Sequence, residues 1–114
     1  MLCVPPKYEP DKGIIKEANI LAANSGAKIE ITNDPQAAAT AADILYTDVW
    51  TSMGKEQERE ERLRIFKPYQ LNSKLLAKAK PDCLIMHCLP AHRGEEITDE
   101  IMASRQNISF DQAE

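Results

Sequence analysis

With 114 residues, 43% hydrophobic and 28% charged, the chain has the make-up of one folded domain, not of a disordered tail. At this length roughly two-thirds of the unfolded surface can be buried, which is enough for a core. The net charge of -4 and pI near 5.2 argue against a nucleic-acid partner, which demands a positive face. No apolar run is long enough to span a bilayer.

In chain order, "MLCV" (1–4) reads as a short strand ended by Pro5-Pro6. Asp11 caps a helix carrying Ile14, Ile15, Ala18, Leu21 and Ala22 on one face, stopped at Asn24-Ser25-Gly26. "KIEIT" (28–32) alternates at period two and predicts a strand. Asn33-Asp34-Pro35 opens a helix running to about Ala42. "ILYTD" (44–48) is the next strand and "VWTSMG" the loop after it.

Lys55 to Phe66 predicts a charged helix in which Glu58–Arg62 and Glu60–Arg64 stand in the favourable i,i+4 order. Ser73 starts a helix through "KLLAKA", stopped by Pro81. "CLIMHC" (83–88) is a buried strand by its apolar continuity, Thr98 opens a short helix, and "NISF" (107–110) predicts a last strand. Alternating strands and helices predict one α/β domain over residues 1–114, with a mostly parallel sheet and helices on both faces in a Rossmann-like three-layer arrangement.

In such a sheet, ligands sit at the carboxyl ends of strands. The loops after Asp48 and after Cys88 occupy that position, and they hold the only tryptophan and His92, with His87 at the edge of the second. Cys88 alone would be a small buried hydrophobe. His87 precedes it, but strand alternation sends the two side chains to opposite faces, which disfavours a direct Cys–His pair. Cys83, His87, Cys88 and His92 offer four N/S donors in ten residues, in a spacing unlike paired zinc motifs. Asp48 either satisfies a turn or binds a cationic group at the rim. The amides of Ser52-Met53-Gly54 could hold a carboxylate, and Trp50 reads as packing. No phosphate-cradling glycine loop is present in the 114 residues.

"DVWTSMG" (48–54), "HCLPAHRGEEIT" (87–98) and "FDQAE" (110–114), in this order and spacing, resemble the ornithine carbamoyltransferases. The resemblance runs over essentially the whole chain and covers the ornithine-binding domain. It implies transfer of a carbamoyl group from carbamoyl phosphate to the δ-amino group of L-ornithine, giving citrulline and phosphate in arginine metabolism. It implies no metal or organic cofactor. Asp48 would hold the ornithine amino groups, and Ser52 and Met53 the α-amino-acid end. Cys88 would lie beside the δ-amino group and, with Leu89, line the carbamoyl site. An aspartate and a thiolate would guide the proton that the attacking amine must lose.

The resemblance also implies missing parts: the Ser-x-Arg-Thr-Arg phosphate loop of the partner domain, the first strand-helix unit of this one, and its last helix. That first strand would lie mid-sheet, so inner strand edges are expected to be open. The isolated chain is therefore expected to be inactive and not to form the family's homotrimer. Three cysteines without framework spacing and no signal-peptide pattern make a cytoplasmic location the expectation. Aspartate-specific relatives resemble "HPLP" at 87–90, which sets them apart from this chain. A non-catalytic amino-acid-binding module, a carbamoyltransferase for an amine such as putrescine, and a small zinc protein are the alternatives.

Overall fold

A computed structural model describes residues 1–51 and 56–113. The described elements are β1 (Leu2–Cys3), α1 (Lys12–Ser25), β2 (Ile31–Thr32), α2 (Pro35–Ala39), β3 (Ile44–Thr47), α3 (Glu56–Phe66), a 3-10 turn (Lys67–Tyr69), α4 (Ser73–Leu76), β4 (Leu84–His87), α5 (Asp99–Met102) and α6 (Ser109–Ala113). The fold is α/β with parallel pairing throughout the named strands.

Local chemistry explains most boundaries. Asp11 Oδ1 accepts from Gly13 N and Ile14 N, and Gly26 ends the helix at φ 76°, where a side chain would be strained. Asp34 does the same for α2, with Pro35 at its first position. α1 packs on a narrower stripe than its sequence suggests: Ile15 and Ala18 are half-buried and Ala22 is buried, while Ile14, Ile20 and Leu21 face solvent. In α3 the Glu58–Arg62 pair closes at 3.8 Å.

The strands form two separate two-stranded sheets, β1-β2 and β3-β4. The second matters for function. Its register pairs Ile44 with Leu84, Leu45 with Ile85, Tyr46 with Met86 and Thr47 with His87. One face, through Leu45 and Ile85, packs on a cluster of Leu71, Ile97, Ile101 and Met102. Full burial of side chains such as Ile85 and Ile97 contributes about 1.5–3 kcal/mol each. The other face presents Ile44, Tyr46 and Leu84 to solvent.

The expected last strand is a correction. Residues 106–108 lie beside β4 through Ile85 N to Gln106 O (2.8 Å) and Ile108 N to Ile85 O (2.9 Å), but only as one bridge. Asn107 Oδ1 then accepts from Ser109 N at 3.0 Å and from the Ser109 hydroxyl, which turns the chain into α6. A local side-chain bond thus overrides the β-prone "ISF".

Candidate functional site at the carboxyl ends of β3 and β4

Extending the β3-β4 register by one residue sets Asp48 beside Cys88. Period-two alternation puts Tyr46, Asp48, Met86 and Cys88 on the open face and turns His87 to the core. The side chains meet: Cys88 Sγ donates to Asp48 Oδ1 at 2.9 Å, and that oxygen also accepts from Val49 N at 2.6 Å. The hydrogen bond to Asp48 is the main cause raising the Cys88 pKa above its ordinary value, with desolvation and the Asp48 charge adding to it. In this geometry the contact to Asp48 favours the thiol form of Cys88. Tyr46 opposes the shift by hydrogen-bonding the sulfur, and its own pKa is raised by desolvation and then by the Cys88 charge. Sequence reasoning missed Tyr46, although its spacing two residues before Asp48 places it on the same face.

His87 is fully buried, and both ring nitrogens are engaged. Nδ1 accepts from Leu89 N at 2.9 Å, so Nε2 carries the proton and donates to Glu96 Oε1, also at 2.9 Å. His87 thus shapes the turn rather than facing Cys88. Leu89 takes the left-handed conformation, φ 54°, before a cis peptide to Pro90. For a residue with a side chain this costs about 1–2 kcal/mol, and the bond to His87 helps to hold it.

Trp50 is buried and stacks on Phe66, 5.8 Å between ring centroids, and Arg62 Nη1 donates to its carbonyl at 3.3 Å. These contacts fasten the loop after Asp48 to α3. Ser52 and Met53 lie outside the described residues. The four-donor set Cys83, His87, Cys88 and His92 does not converge: Cys83 and His87 are buried on one face, and Cys88 points to the other.

Over residues 1–114 the chain matches the Aspartate/ornithine carbamoyltransferase, Asp/Orn binding domain. It belongs to that family. It is 53% identical over 114 residues to an ornithine carbamoyltransferase of Thermococcus kodakarensis, covering all of this chain and 36% of that protein. The solved ornithine carbamoyltransferase of Pyrococcus furiosus superposes with a TM-score of 0.90 at 53% identity, over 96% of this chain and 35% of that one. An N-acetyl-L-ornithine transcarbamylase superposes at 0.82 with 27% identity, over 98% and 34%. The chain thus spans about a third of the length of the relatives it matches. Among the described residues no helix is long and apolar enough to cross a membrane.

Proposed function

We propose that the chain supplies the ornithine-binding part of an ornithine carbamoyltransferase, acting in arginine metabolism in the cytoplasm. The observation that supports this best is the Asp48–Cys88 contact, 2.9 Å long, at the carboxyl ends of adjacent parallel strands. A carboxylate and a thiol in contact at one rim suit an amine substrate better than a phosphate. In the reaction, the δ-nitrogen forms a bond to the carbamoyl carbon, the carbon–oxygen bond to phosphate breaks, and the amine loses a proton. Asp48 attracts the ornithine ammonium groups, Ser52 and Met53 take the α-amino-acid end, and Cys88 lies against the δ-nitrogen. Leu89 accepts a hydrogen bond from the carbamoyl amide. An ammonium reaching Asp48 meets a carboxylate whose Oδ1 already accepts from the Cys88 thiol and Val49 N, which brings the amine next to the sulfur.

Two measurements test this. Calorimetry with L-ornithine should give saturable binding that Asp48→Asn weakens about tenfold or more, the scale of losing a charged hydrogen-bond partner. Putrescine, lacking the carboxylate, should bind more weakly; equal binding of both amines would favour the diamine reading. Citrulline formation by the 114-residue chain with carbamoyl phosphate should stay at background. These residues contain no Ser-x-Arg-Thr-Arg loop to stabilise the departing phosphate. Turnover above background would contradict that expectation.

A further inference from the structure

On the core-facing side of the same rim, the turn after Leu89 gathers His92, Glu95 and Glu96. Each offers one ligand atom, and these atoms lie within 4.8 Å of one another. Burial grades across the group: the His92 ring is 43% exposed, the Glu95 side chain 19%, and Glu96 is fully buried. Most of the expected partners are already placed. Glu96 Oε1 accepts from His87 Nε2 and from His92 N, the latter at 2.6 Å. Glu95 Oε1 pairs with Arg59. The second oxygens differ. Glu95 Oε2 and Glu96 Oε2 are buried and take no hydrogen bond among the described residues. Glu95 Oε2 lies 3.5 Å from His92 Nδ1, too far for a good bond.

A buried carboxylate oxygen without a donor is costly, about 1–3 kcal/mol for a neutral group and more for a charged one. The Arg59 cation on Glu95 Oε1 offsets one of the two charges, and the two free oxygens beside one imidazole leave a net negative pocket suited to a cation. His87 enters as donor to Glu96, because its other nitrogen is taken by Leu89 N. Glu96 is thereby oriented by a hydrogen bond behind it, as metal-bound carboxylates usually are. One imidazole nitrogen with two carboxylate oxygens suits a borderline divalent first-row cation. Ligand atoms around a tetrahedral zinc stand closer than 4.8 Å, so a bound ion would draw the three groups together.

We propose that His92, Glu95 and Glu96 form a site for a divalent cation of the zinc type, with His87 positioning Glu96 from behind. It shares only His92 with the cysteine-containing set considered from sequence, and it needs no thiolate. A cation here would lock the 92–96 turn. Through Glu96, His87 and Leu89 N it would also fix the segment that carries Leu89.

The test is zinc titration of the chelator-treated 114-residue chain, followed by X-ray absorption at the zinc edge. The expected result is one zinc per chain, with nitrogen and oxygen neighbours at about 2.0 Å and no sulfur. His92→Ala and Glu95→Gln should each weaken binding about tenfold or more, while Cys88→Ser should leave it unchanged. Glu96→Gln disturbs a fully buried carboxylate and could unfold the chain, so the exposed His92→Ala carries the decision. A sulfur neighbour at about 2.3 Å, affinity indifferent to His92→Ala, or no saturable binding below millimolar zinc would each overturn the proposal.

Discussion

The Cys88 thiol is the most readable residue at the rim, because its protonation reports directly on Asp48. Its pKa is raised first by the hydrogen bond to Asp48. The thiol form is therefore stabilised by the fold below the ordinary cysteine pKa, and this stabilisation fades as pH rises through the elevated value. Alkylation of Cys88 by iodoacetamide, mapped by mass spectrometry, should have its pH midpoint above that of a free cysteine. Asp48→Asn should move the midpoint down, because the amide can donate to a thiolate. An unchanged midpoint in the variant would remove Asp48 as the cause. His87 makes the opposite point. His87→Ala leaves Leu89 N without its acceptor and takes one of two donors from the fully buried Glu96 Oε1, so urea unfolding should lose about 3 kcal/mol. A loss under about 1 kcal/mol would show that water replaces the ring. The placement of Asp48 and Cys88 at neighbouring strand ends, and the turning of His87 away from Cys88, were legible in sequence because they follow from period-two alternation. The roles of Asp48 and Cys88 came only from the family resemblance. The burial of Glu96 was not legible. "RGEEIT" looks like a solvated charge run, and bonds to residues distant in sequence, among them Leu71 N to Glu96 O at 2.8 Å and His87 Nε2 to Glu96 Oε1 at 2.9 Å, draw it inside.

Elements were legible where their ends carry their own chemistry. Asp11, Asp34, Pro35, Gly26 and Thr98 each mark a boundary found in the structure. Residues whose state depends on distant partners were not legible. "KIEIT" keeps only Ile31–Thr32 as strand, because pairing with β1 reaches no further. α6 replaces a predicted strand through one asparagine side chain. The apolar width of α1 misled as well, since Ile14 and Leu21 find no cover. Two substitutions separate capping from burial in this helix. Asp11→Ala removes the acceptor for two backbone amides and should cost about 1 kcal/mol. Leu21→Lys, on the uncovered side, should change stability by no more than about 0.5 kcal/mol. Chemical denaturation of both variants checks the pair. If Leu21→Lys costs as much as the cap, the outer stripe of α1 is covered in solution.

The whole molecule exposes more than its mass warrants. Its accessible surface is 8049 Å², against about 6,300 Å² for a monomeric protein of this mass. Its radius of gyration is 14.7 Å, against about 13 Å for this length. The excess has a place in the fold. Among the described strands, β1 pairs only with β2 and β3 only with β4, so each sheet has open edges. Ile44, Tyr46 and Leu84 stand exposed on one face of β3-β4, while Leu2 and Ile31 stand exposed on β1 and β2. Edges flanked by β-branched and aromatic side chains are templates for pairing with another chain. The excess on this one chain is about twice the roughly 800 Å² that each partner buries in a standard protein–protein interface. The 114-residue chain should therefore self-associate as its concentration rises. Sedimentation velocity should show a shift from monomer to larger species over the micromolar range. Ile44→Lys places a charge on the open face of an edge strand without touching Asp48 or Cys88, and it should push that transition to higher concentration. An unshifted transition in this variant would move the contact away from β3. A strictly monomeric chain at all concentrations would mean that the open edges are closed in solution by segments of the chain itself.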